Sequence, residues 1–85
     1  MRRLETIDSP EAFGEALRQR RKARHLTQTR AAALCGVSPR LWNQTETGKR
    51  PQLGFATALR MCQVLGLDLQ LMPRSDPTGR GPNSR

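Results

Sequence analysis

Between Ser38 and Glu46 the chain reads SPRLWNQTE, a segment in which one guanidinium and two carboxamides are interleaved with apolar side chains. At about 100° per residue, a helix starting at Pro39 turns Leu41, Trp42 and Thr45 to one face and Arg40, Asn43 and Gln44 to the other. Arginine pairs bidentately with guanine, and asparagine or glutamine with adenine, so the polar face carries chemistry suited to base edges in a DNA major groove. Nothing in the segment resembles paired acids, a nucleophile beside its base, or a glycine loop around phosphate.

Such a face works only if other elements hold it outward. Ser9-Pro10-Glu11 supplies an N-cap, a proline at the first helical position and an acid in the first turn, and so predicts a helix running to about Arg24. Phe13 and Leu17 give it an apolar stripe, which Arg20 and Arg24 continue by laying their stems over apolar surface while their charges reach water or a partner. His25 is read as its left-handed terminal residue. Thr27 caps a second helix in which Ala31, Ala32 and Cys35 face inward while Thr29, Arg30 and Ala33 face out. Gly36 stops it, and Ser38-Pro39 starts the third helix two residues later, so the two must cross steeply, as in a helix-turn-helix. Gly48 ends the third helix. A fourth, from about Gly54 to Leu65, has Phe55, Ala58, Leu59, Cys62 and Leu65 as its apolar stripe, with Val64 pointing away.

After Gly66 the period changes from helix to strand, with Leu67, Leu69 and Leu71 alternating against Asp68, Gln70 and Met72. A lone strand leaves its donors and acceptors unpaired, and the same segment of a second copy is the simplest partner. The alternative is a short extended tail packed on the helices. The final stretch, rich in Pro, Gly and Ser, is read as disordered. The organisation is thus an N-terminal arm over 1–8, a helical domain over 9–66, a dimerisation strand over 67–73 and a tail over 74–85.

The bulk numbers agree with a small binding module. Eighty-five residues hold one core but no large cleft between lobes. Fifteen Lys and Arg oppose seven Asp and Glu, so the chain attracts polyanions. Between Glu15 and Asp68 the sole acid is Glu46, among ten basic residues. A basic run is also the mark of a solvated helix face, so charge by itself assigns nothing. Cys35 and Cys62 lack metal-ligand spacing, His25 has no clustered partner, and both cysteines are read as small core residues. No cofactor, metal or catalytic residue is expected. Without a signal peptide or a long apolar run, the expected location is cytoplasmic and nucleoid-associated, away from membranes.

Over residues 13–66 the chain resembles the Cro and phage-repressor class of helix-turn-helix domains, the XRE family, through LRQRRKARHLTQ, AAALCGVS and TETGKR. The resemblance implies an all-α fold, a lambda-repressor-like domain of four to five helices, here with one C-terminal β-strand pairing across a dimer. It implies that Ser38, Pro39, Arg40, Asn43 and Gln44 reach bases and that Gln28, at the start of the second helix, contacts a phosphate and supports the third. Thr27, Arg30, Lys49 and Arg50, with Lys22 as a further candidate, would surround them with phosphate contacts. The family's pairing of a first-helix arginine with the acid ending the third helix maps onto Arg21 and Glu46; the bland alternative is a solvated pair contributing under about 1 kcal/mol. Pro39 departs from the usual polar residue, and Trp42 replaces the usual aliphatic one as a core plug.

A strand directly after the fourth helix is similar to HipB-type antitoxins. That likeness implies a homodimer on palindromic double-stranded operator DNA, repressing its own operon and neutralising a HipA-like kinase toxin. A stand-alone XRE-family regulator, and an interaction module whose DNA contact is incidental, remain the alternatives.

Overall fold

A computed structural model of the chain describes residues 6–74, and the expected disorder of the tail and most of the arm lie outside them. Four helices follow one another: α1 (Pro10–Ala23), α2 (Gln28–Cys35), α3 (Pro39–Glu46) and α4 (Phe55–Val64). Three begin on hydroxyl caps. Ser9 Oγ accepts from the Ala12 N–H, Thr27 Oγ1 from Arg30 and Ser38 Oγ from Leu41, each at 3.0 Å, relieving one orphan donor per helix. α4 starts at Gly54 without a side-chain cap.

α3 packs against both α1 and α2, and α4 closes the other side of α2. Leu17, Trp42, Met61 and Leu65 are fully buried, with Ala31, Ala32, Cys35 and Cys62 completing the core. Small residues on α2 let its neighbours approach closely. A second close approach depends on Gly14, where a Cβ would lie 2.6 Å from the Glu46 carbonyl oxygen and collide with the end of α3. The role of this glycine is not legible in the sequence, because helix spacing alone does not say where two backbones meet.

The fourth helix differs from its expected stripe. Phe55 is 69% exposed, whereas Met61 is fully buried and Val64 packs against the core instead of pointing away. The buried arc therefore runs through Met61, Cys62 and Leu65 and widens to Val64, with Ala58 and Leu59 half-buried beside it. Phe55, the first residue of α4, instead borders an open depression with Pro10, Phe13 and Leu53.

Among the described residues there is no strand. A ladder needs a partner, and a single chain offers none to 67–73. Leu67 instead finishes α4, since its N–H donates to Cys62 O at 2.9 Å and its side chain packs on the core. Leu69 and Leu71 are 45% and 93% exposed. No helix among the described residues is long and apolar enough to cross a membrane.

Candidate nucleic-acid interface

The site is built on a buried carboxylate. Glu46, the last residue of α3, receives Arg21 Nε on Oε2 at 2.6 Å and Arg21 Nη2 on Oε1 at 3.1 Å. Trp42 Nε1 donates to Oε2 at 2.6 Å, and Gln28 Nε2 to Oε1 at 2.9 Å. The same Arg21 reaches back to the Leu26 carbonyl at 2.7 Å, so one guanidinium ties the end of α1 to the end of α3. Both ions are buried, which sets the pair apart from a solvated surface contact. Burial pushes the Glu46 carboxyl up, but hydrogen bonds from Arg21, Gln28 and Trp42 and the charge of Arg21 outweigh it and hold the group below its ordinary value.

That anchor fixes the rotation of α3. Leu41 is half-buried and Trp42 and Thr45 are buried, while Arg40 and Asn43 are exposed and Gln44 is half-buried. The inward tryptophan is a core plug whose indole N–H is satisfied by Glu46, four residues along the same helix. That contact was not foreseen, although i,i+4 spacing was the available signal.

Each expected contact residue has a definite place. Ser38 and Pro39 are exposed at the N-terminus of α3, and the Ser38 hydroxyl oxygen already caps the helix, leaving its proton to donate. Thr27 plays the same part at α2. Gln28 has one amide proton on Glu46, and its Oε1 accepts from Asn43 Nδ2 at 3.2 Å, which leaves its second amide proton uncommitted by these two bonds. Arg50 Nη1 holds Gln44 Oε1 at 3.2 Å, so the free hydrogen-bonding capacity of Gln44 is mainly its Nε2. Arg30, Lys49 and Lys22 are exposed, the first on α2 and the second in the loop after α3.

Other basic residues are committed to the fold. Arg20 Nε and Arg24 Nη1 donate to Leu65 O at 2.8 and 3.2 Å, and Arg60 Nε to Cys35 O at 3.3 Å. The stripe read as stems over apolar surface therefore ends in guanidinium heads that cap α4, where cations and orphan carbonyls attract. Cys35 and Cys62 are buried free thiols, and burial pushes the Cys62 thiol up.

The family profile described as a helix-turn-helix domain matches residues 12–74. No curated protein gives a match. Among solved structures, the restriction-modification controller protein C.AhdI from Aeromonas hydrophila is 27% identical with a TM-score of 0.65, over 69% of this chain and 84% of that one. The clp gene regulator ClgR from C. glutamicum is 25% identical with a TM-score of 0.68, over 79% and 85%. HipB in complex with an O4 20mer is 22% identical with a TM-score of 0.72, over 81% and 96%. The HipA-HipB-O2-O3 complex gives 23% identity and a TM-score of 0.71 over the same shares. An outward polar face on α3, a buried ion pair behind it and a profile match over most of the chain lead to one assignment: the chain belongs to the helix-turn-helix family, as a DNA-binding regulator of the XRE type and not an enzyme.

Proposed function

We propose that the chain is a homodimeric, sequence-specific repressor that lays α3 of each subunit in successive major grooves of a palindromic operator, with half-sites about 34 Å or a multiple apart. The observation that carries this reading is the exposure of Arg40 and Asn43 on a helix whose opposite face is pinned by Trp42 and Glu46. Arg40, Asn43 and Gln44 would read base edges together with Ser38 and Pro39. Thr27, Gln28, Arg30, Lys49 and Arg50 would grip phosphates, adding affinity without sequence preference. Repression follows from covering a promoter, at the nucleoid in the cytoplasm.

As the finer assignment, we propose an antitoxin that represses its own operon and holds a HipA-like kinase toxin inactive. What supports it is the likeness to HipB, which runs over 96% of that chain. A free-standing regulator is the second reading, favoured by the higher identities to C.AhdI and ClgR. Purification from the native host separates them: an antitoxin brings down a kinase-sized protein encoded beside it, and a free-standing regulator recovers promoter DNA alone.

The reading face is tested by operator titration. Arg40→Ala or Gln44→Ala should relax discrimination between operator and mutated operator by about 1 to 3 kcal/mol, whereas Lys49→Ala should weaken all sequences alike and reduce the salt dependence. Equal losses from all three, or binding that ignores both salt and sequence, would remove the proposal.

A further inference from the structure

We infer that Gln28 and Glu46 act as positioning residues for Asn43, fixing its carboxamide so that it reads adenine at one operator position.

The chemistry begins at Glu46. Its oxygens are held by Arg21 and Trp42 as well as Gln28, and a carboxylate accepts hydrogen bonds without donating any. Gln28 must therefore present its NH2 group to Glu46, at 2.9 Å. An amide with its nitrogen so committed has its oxygen turned away, and Gln28 Oε1 is the atom that meets Asn43, at 3.2 Å. An amide oxygen accepts only, so the group Asn43 offers to Gln28 is its NH2. The polarity of the whole relay is thus set by one ionised group at its buried end.

The consequence lies at the exposed end. A free asparagine turns its amide over with little hindrance, exchanging donor for acceptor. With one Nδ2 proton on Gln28, Asn43 keeps its second proton and its Oδ1 in a fixed order. One donor beside one acceptor complements N7 and N6–H of adenine, whereas guanine offers two acceptors at its N7 and O6. The side chain is also held before DNA arrives, which lowers the entropy lost on binding. Pro39 cannot compete for Gln28, having neither an N–H nor a polar side chain. This inference rests on the operator-reading proposal above.

The test starts with the full chain and a randomised duplex library, followed by single-base variants of the enriched site. Failure to enrich any sequence would overturn operator reading itself. Wild type should prefer adenine by about tenfold or more at one half-site position, a preference that Asn43→Ala abolishes. Gln28→Met, which removes the relay, and Gln28→Asn, one methylene too short to span it, should lower that preference several-fold while the order of affinities at other positions is kept. Any general loss from a missing phosphate contact cancels in these ratios. Retention of the adenine preference in both Gln28 variants would overturn the relay and leave operator reading standing. So would a preference for another base at the Asn43 position, or an equal loss of discrimination everywhere. If neither variant folds, wild type still decides by nuclear Overhauser contacts between the Asn43 side-chain amide protons and the Gln28 side chain: their presence supports the relay and their absence overturns it.

Discussion

Glu46 sums four hydrogen bonds from three side chains, and its ionised state underlies both the fold and the face of α3. Replacing it by Gln leaves the buried Arg21 without a counter-charge, and should cost about 3 kcal/mol of unfolding free energy near pH 7. The pH dependence follows from the lowered folded value. The folded state binds the Glu46 proton less readily than the unfolded chain, so this contribution is present above the ordinary carboxylate value of 4.5 and is lost as pH falls through the lower folded value. Urea melts of wild type and Glu46→Gln should therefore differ widely at neutral pH and converge as the pH falls below the ordinary carboxylate value. An unchanged gap would place the cost in packing and not in charge. The Arg21–Glu46 pairing was legible from a single acid among ten bases, together with the family resemblance. Its burial, and the indole and carboxamide that complete it, were not, because they depend on how deeply α3 is seated between α1 and α2.

All four helices end in the same way. In each, a residue at positive φ follows the last turn: His25, Gly36, Gly48 and Gly66, with φ between 58° and 79°. The next N–H then reaches five residues back, from Leu26 to Arg21, Val37 to Ala32, Lys49 to Gln44 and Leu67 to Cys62. This is the Schellman arrangement, and it takes up carbonyls that would otherwise be orphaned at every corner. Starts and stops were the most legible part of the sequence, since hydroxyls, prolines and glycines act locally. The arc of α4 was less so, because the exposure of Phe55 and the burial of Met61 depend on tertiary packing, which periodicity does not encode. His25 is the one corner where a side chain occupies the left-handed region, at φ 58°. Its Cβ crowds the following carbonyl there, so His25→Gly should raise stability by about 1 kcal/mol, read as a higher Tm. A lower Tm would mean that the imidazole makes a stabilising contact of its own.

At the scale of the molecule, the described surface carries apolar residues that the monomer leaves open. Phe55, Leu71 and Met72 are each more than two-thirds exposed. Phe55 and Leu69 border a depression of about 240 Å³ with Pro10, Phe13 and Leu53, next to the 67–73 segment, which has no regular secondary structure. Pairing of that segment between two copies would cover its side chains and satisfy its backbone together. The boundary of the segment is set by α4, because removing Leu67 would open the helix cap and expose part of the core. A chain cut after Asp68 therefore keeps the four helices and Leu67 and loses Leu69 and Leu71, the rest of the proposed pairing strand. It should melt independently of protein concentration and sediment as a monomer where the full chain sediments as a dimer. It should also bind an operator half-site much as before but lose affinity for the full palindrome, since the second α3 is no longer tethered at high effective concentration. A truncated chain that still sediments as a dimer would move the interface onto the helices, and one that unfolds would show that the segment supports its own subunit instead of a second.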